Sequence, residues 1–184
     1  MASYGINFWL PQIISETITK DPMRIGLLSI IPWGCGAISM ILVGHHSDVT
    51  GERRWHIALA AVVGAIGLAL SAIPGISGAL GLAALTLASI GVSATTSTFW
   101  SMPTSFLSSS AAAAGIAWIN SVGNLAGYVS PFMIGKLRDS THSMHIPLLL
   151  LASSCFAAGC IVLTIRPRKH ERIDLAQSRA VSAD

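Results

Sequence analysis

The sequence predicts an all-α polytopic membrane protein, and three observations carry that reading. Between Ile57 and Gly135 lie 79 consecutive residues without Asp, Glu, Lys, Arg or His, whereas a water-soluble domain carries about a quarter charged residues. Over all 184 residues, 52% are hydrophobic and 10% are charged. The apolar residues also fall into long runs, at 25–44, 57–73, 79–102, 111–135 and 147–165. A helix needs ~20 residues to cross the ~30 Å hydrocarbon layer, so these runs read as five full spans.

Before them, the apolar stretch 2–14 has 13 residues and reaches only ~20 Å as a helix, too short to cross. Asn7, Trp9, Pro11 and Gln12 interrupt it. No basic residue precedes it and no small-residue cleavage site follows, so it does not read as a secretory signal. Residues 1–18 are expected to form the outer end of a truncated helix. The first full span carries Pro32, which bends a membrane helix while its neighbours take up the freed carbonyls. The second, 57–73, gains length from Trp55 and His56 at the interface. Its Gly64 and Gly67 offer a small-residue face for close packing.

A tight turn of Pro, Gly and Ser at 74–78 leads into the third span. An uncharged turn at 103–110 leads into the fourth. That span holds Gly123 and Gly127 in a Gly-xxx-Gly pair and has Pro131 near its end. A loop at 136–145 precedes the fifth span. From Arg166-Pro167 onward the chain is charged and rich in Ser and Ala, which predicts a solvated tail over 167–184 with a short surface helix at 171–179.

Charge sorts onto two sides of this plan. Arg53, Arg54, Arg166, Arg168, Lys169, Arg172 and Arg179 share one side; Lys20, Arg24, Lys136 and Arg138 share the other. The excess of Lys and Arg marks the cytoplasmic face, which places the 45–56 loop and the tail in the cytoplasm of a multi-pass cell inner membrane protein. The same pattern accounts for the net charge of +3 as membrane topology, with no nucleic-acid partner. Cys35, Cys155 and Cys160 sit inside spans without metal-ligand or CxxC spacing and read as small apolar filler. No Ser/His/Asp set, HExxH, phosphate-binding loop or dinucleotide fingerprint is present. No enzyme activity, metal or cofactor is therefore expected.

The most informative segment joins the first two full spans: Gly44-His-His-Ser-Asp48-Val-Thr-Gly51-Glu52-Arg53-Arg54-Trp55-His56. Gly44 allows close approach of a neighbour, and Gly51 suits a turn with positive φ. Asp48 can pair with a cation, and Arg53 and Arg54 can anchor the loop at the headgroups. The spacing Gly-xxx-Asp-xx-Gly-x-Arg-Arg resembles the loop signature of the major facilitator superfamily, with Val49 where a basic residue usually follows the Asp. Its sequence is similar to the copy after helix eight in the anion:cation symporter branch, which includes tartrate, phthalate and hydroxyphenylacetate permeases. Tyr4-Gly5 with Phe8-Trp9-Leu10-Pro11 resembles the outer end of helix seven. Phe99-Trp100 with Pro103 resembles the end of helix ten. Ala114-Gly115-Ile116-Ala117 with Asn120-Ser121-x-Gly123-Asn124-Leu125 resembles helix eleven. Gly135-Lys136-Leu137-Arg138-Asp139 is similar to the loop before helix twelve.

The resemblance implies the C-terminal six-helix half of a major facilitator fold, with residues 1–18 as a truncated helix seven and 19–166 as helices eight to twelve. It implies import of an organic anion (a sugar acid, dicarboxylate or aromatic carboxylate) with protons, by alternating access. The partners would be the lipid bilayer, the anion, the proton and an N-terminal six-helix half supplying the cationic and titrating residues. On this reading the chain alone is inactive. A small membrane subunit that binds a partner membrane protein without transporting, and a six-helix homodimer, are the rival readings.

Polar side chains inside spans are the substrate-facing candidates, since they are costly against lipid. Asn120 and Asn124 are four apart and share a helix face. Their amides can donate to a carboxylate and accept from a hydroxyl. Ser97 and Trp100 stand at helical spacing on the third span, with Ser93 and Thr96 near them. Tyr4, Asn7 and Trp33 are candidates for the outer vestibule. The predicted topology is checked by impermeant maleimide labelling of single cysteines, in a background where the three native ones are Ala. Cysteine at Ser140 is expected to react from outside, and cysteine at Glu52 only after permeabilisation.

Overall fold

Six helices follow one another: α1 (Ala2–Thr17), α2 (Pro22–Thr50), α3 (Arg53–Ser71), α4 (Gly78–Trp100), α5 (Ser109–Thr141) and α6 (His145–Thr164). They are seen in a computed structural model that describes residues 1–76, 78–102 and 109–165, with only the backbone described for 109–112. The tail and the greater part of the 103–110 turn lie outside the described residues.

Among the described residues four helices are long and apolar enough to cross a membrane: α2, α3, α4 and α6. Five were expected. The fourth run, 111–135, lies in α5, the longest helix among the described residues at 33 residues. Asn120, Asn124, Tyr128, four glycines and its serines dilute its apolar content.

Local chemistry sets the helix ends. Asp21 caps α2, its carboxylate accepting from the Met23 N–H at 3.1 Å, with Pro22 in the first turn, where its fixed φ suits a helix start. The helix then runs for 29 residues to Gly51, which ends it at φ 68 with its N–H donating to the Ser47 carbonyl at 3.0 Å. Only Gly51 and Glu52 separate α2 from α3, so the 45–56 segment expected as a loop is almost wholly helical. The 136–145 loop is corrected in the same way, because α5 continues through Lys136 and Arg138 to Thr141. In both places charge marks the exit from hydrocarbon, not the end of the helix. His, Ser, Asp, Lys and Arg all tolerate helical backbone, whereas a left-handed residue such as Gly51 terminates it.

The centre of the bundle is the α3–α4 crossing. A Cβ added at Gly67 would lie 2.3 Å from the Ala88 nitrogen, and one at Gly91 only 2.1 Å from the Gly64 nitrogen. The two backbones touch there, as the small-residue face at Gly64 and Gly67 predicted, with Gly91 as its unpredicted counterpart. Around this contact Ala61, Ala65, Leu68, Leu85, Ala88 and Val92 form the core with Leu148, Leu151 and Cys155 of α6. Cys155 fills space there and also donates to the Ala61 carbonyl at 3.3 Å. The α2 helix joins α4 through Ser39, whose hydroxyl reaches the Ile90 carbonyl at 3.0 Å. Met23, Leu27, Ile30, Ile38, Ile41 and Leu42 of α2 stay exposed, a face that suits lipid tails. The Ile6, Leu10, Ile13 and Ile14 side chains of α1 enter the same core.

Of the Gly-xxx-Gly pair on α5, Gly127 lies 3.0 Å (from its built Cβ) from the Tyr4 ring, while Gly123 faces open space. Gly44 also faces open space, contrary to its expected close contact. These differences set an expected order of tolerance. Gly91→Ala should destabilise the folded protein in detergent by about 1–3 kcal/mol, the usual range for overpacking. Gly123→Ala should be neutral or slightly stabilising, as thermal unfolding of both variants would show.

Candidate functional site

The two ends of the bundle are tied by different chemistry. At the Gly51 end, Arg53 reaches the Asp48 carboxylate at 3.6 Å and also donates to the Ser101 carbonyl just past α4. Arg54 donates to the Leu163 carbonyl in the last turn of α6. Both arginines meet carbonyls that a helix end leaves unpaired, where a cation is also favoured by the helix dipole. They stand over a small apolar cluster of Ile57, Met102 and Val162 with Phe99. The expected pairing of Asp48 with a cation is present. Arg53 and Arg54, expected at the headgroups, also make these carbonyl contacts. His46 Nδ1 and His56 Nε2 lie 2.6 Å apart, and His56 Nδ1 donates to the Glu52 carbonyl at 2.6 Å. This pair closes the turn.

At the Gly75 end, Arg138 of α5 meets Glu16 of α1 through two nitrogens at 2.9 and 2.5 Å. Its guanidinium carbon stands 5.7 Å from the centre of the Trp9 ring, and Gln12 donates to Glu16 at 3.0 Å. His145 donates from Nδ1 to the Ala72 carbonyl at 2.6 Å, closing the end of α3. Isolated charges in the sequence gave no signal of these partners, because the pairs lie 122 and 73 positions apart.

Between the two ends runs a segment of α5 with three faces. Gly127, Ser130 and Ile134 turn toward α1, with the Ser130 hydroxyl donating to the Met1 carbonyl at 3.0 Å. Trp118, Val122, Leu125, Val129 and Phe132 form an exposed apolar stripe. Asn120, Asn124 and Tyr128 form a second exposed face, polar where the first is not. Tyr4 of α1 lies against this face, its phenol donating to Asn124 Oδ1 at 2.9 Å. Asn120 is exposed one turn before Asn124, and Asn7 is exposed one turn beyond Tyr4 on α1.

The candidates are therefore brought together in part. Tyr4 and Asn124 are bonded and Asn120 shares their face. Ser97 and Trp100 belong to α4, whereas the contacts of α5 are with α1 and α6. The Ser97 hydroxyl is occupied by the Ala94 carbonyl at 3.0 Å and that of Thr96 by Val92 at 2.9 Å, as serines and threonines in membrane helices often are. Ser93 packs beside Gly36 of α2. Trp100 is exposed and sits edge-on to Phe99 with ring centres 5.8 Å apart, and Trp33 is exposed on α2. Among the described residues no group of three or more His, Cys, Asp and Glu is arranged to hold a metal ion.

Apolar helices of spanning length, capped at both ends by charge and carrying a polar stripe, define a polytopic membrane protein. Comparison with known proteins names its kind. The chain is 42% identical over 166 residues to a protein of Agrobacterium vitis named as a tartrate transporter, covering 88% of this chain and 37% of that protein. It is 38% identical over 172 residues to a quinolone resistance transporter of Acinetobacter baumannii (94% and 39% covered). It is 34% identical over 167 residues to the inner membrane transport protein RhmT of Escherichia coli strain K12 (90% and 38% covered). No family model matches the chain, and no solved structure matches it. The chain therefore matches one part of proteins named as transporters, in keeping with the major facilitator resemblance of its motifs. It spans a little over a third of the length of the curated relatives it matches.

Arg53 holds two partners at once, and a lysine cannot present two donors in that fork. Arg53→Lys is expected to lower stability by about 1–2 kcal/mol, the scale of a hydrogen bond from a charged donor. Asp48→Asn should cost less than about 1 kcal/mol, because that ion pair is exposed. Chemical unfolding of the two variants side by side checks the order.

Proposed function

We propose that this chain forms the C-terminal half of a secondary active transporter that imports an organic anion (a sugar acid, dicarboxylate or aromatic carboxylate) with protons, by alternating access. The observation that carries the reading is the polar face of Asn120, Asn124 and Tyr4. It occurs in a length of chain without a single charge, on the least apolar of the long helices. Amides and a phenol at such a depth are costly against lipid tails, which favours a water-filled cavity or a facing protein wall. Asn7, Ser97 and Trp100 would line the same cavity from α1 and α4. The names of the relatives, which include tartrate transport, support the class of cargo.

A complementary six-helix half would complete the walls. It would also supply the cation that meets the anion and the carboxylate that carries the proton, since no Asp, Glu, Lys or Arg lies within the apolar runs here. The Lys and Arg excess then sets the Gly51 end and the tail in the cytoplasm. A relative named as an inner membrane transport protein supports that membrane as the location. The segment 44–54, with Gly44, Asp48, Gly51, Arg53 and Arg54, would be the conformational joint.

Proteoliposomes test the reading directly. A full-length transporter carrying this segment should accumulate labelled tartrate or a related acid under an inward proton gradient. Asn120→Ala and Asn124→Ala should each raise KM on the order of 10-fold, the worth of one good hydrogen bond. The 184-residue chain alone should give no gradient-driven uptake. Unchanged KM in both variants would remove Asn120 and Asn124 from the site.

A further inference from the structure

We infer that His46 and His56 form a proton-binding site at the Gly51 end, which takes up a first proton with the α2–α3 turn closed and a second only when that turn opens. The site is independent of any cargo, because it follows from how many hydrogens the facing nitrogens can share. His56 Nδ1 lies 2.6 Å from the Glu52 carbonyl. A carbonyl oxygen only accepts, so that nitrogen carries a hydrogen. His56 Nε2 faces His46 Nδ1 at 2.6 Å, and a single hydrogen between them makes the bond, whichever ring holds it. With both rings neutral, His46 donates to the bare Nε2 of His56. With one extra proton, either ring can be the cation and the bond remains. With two, both facing nitrogens carry hydrogen and neither can accept, while like charges stand with ring centres 4.9 Å apart. The contact cannot survive the second proton.

The contact spans a short connection between two long helices. Only Gly51 and Glu52 separate α2 from α3, with Gly51 at φ 68. His46 lies one turn before the end of α2 and His56 lies in the first turn of α3. His46 is exposed and His56 half-buried, so protons reach the pair from water. The other titratable or charged groups near it are His45 and Asp48 on α2, Glu52 in the turn, and Arg53 and Arg54 on α3. From α4 and α6 come the Ser101 and Leu163 carbonyls that hold the two arginines, and Cys160 is the titratable side chain of α6 nearest this end. Asp48 is paired with Arg53 at 3.6 Å, and among the described residues no salt bridge joins a carboxylate to either imidazole. The two arginines add positive charge beside the pair, which opposes a second proton further. The bond therefore persists at alkaline pH and is lost as acid supplies the second proton.

A nitroxide at Val49, which is exposed in the last turn of α2, reads the turn by its mobility. It is attached to Val49→Cys in the 184-residue chain in lipid nanodiscs, with the three native cysteines changed to Ala. Measurements at about pH 5 and about pH 8 bracket the range in which an imidazole changes charge. With both histidines present, the nitroxide should move roughly 2-fold faster in acid. An amide offers a donor and an acceptor together, and that of asparagine stands close to where Nδ1 stood. His46→Asn should therefore bond His56 in either of its charge states and give the same mobility at both pH values. His46→Ala has no such group and should give the fast motion at both. His56→Gln, which sets an amide where Nε2 stood, should also remove the acid response, and it serves if His46→Asn disturbs α2. Equal mobility at the two pH values with both histidines present would overturn the inference. So would an undiminished acid response in His46→Asn and His56→Gln, since the proton would then act elsewhere, at Asp48 or Glu52. Slow motion at both pH values in His46→Ala would overturn it too, because the contact would not be what holds the turn.

Discussion

Hydrocarbon supplies no hydrogen-bond partner, so each polar group that enters it must be satisfied by the chain itself. That constraint governs the molecule at every scale. It makes the secondary structure wholly helical among the described residues. It sends Arg53, Arg54 and His145 to the carbonyls at helix ends. It turns Thr86, Thr95, Thr96 and Ser97 of α4 back onto their own backbone. It also leaves the polar stripe on α5 conspicuous, because Asn120, Asn124 and Tyr128 are all exposed there.

Without water to drive apolar surfaces together, helices in lipid associate through close van der Waals fit. The α3–α4 crossing is where this fit is tightest, and α2 and α6 build outward from it through Ser39 and Cys155. Rigidity is concentrated there and at the Gly51 end, where the two arginines join α3 to α4 and α6. The α1–α5 pair is joined by a phenol, a serine hydroxyl and one ion pair along its length, while α1 itself enters the shared core through Ile6, Leu10, Ile13 and Ile14.

The polar stripe and the charged ends divide labour by depth. Charges near Gly51 and Gly75 work where water and headgroups offset their solvation cost, and they fix how helix ends meet. Within the hydrocarbon depth the chain offers only neutral dipoles. On the proposed reading, a cavity walled on this side by amides and a phenol would orient an anion and leave the balancing charge to another part of the transporter.

Much of this was legible in the residues. The length and spacing of the apolar runs anticipated four of the five expected spans, because crossing hydrocarbon demands a set length and forbids charge. Gly51 could be placed in a turn, and Asn120 and Asn124 on one face, from backbone preference and helical period alone. Helix ends at His46 and Lys136 could not be placed, since exit from the bilayer is a property of solvent whereas the end of a helix is a property of backbone. Nor could sequence reveal that Gly67 and Gly91 bring two backbones into contact, that Arg138 finds Glu16, or that Tyr4 reaches Asn124. Those pairings join residues 21 to 122 positions apart, and only the packing of whole helices decides which distant side chains become neighbours.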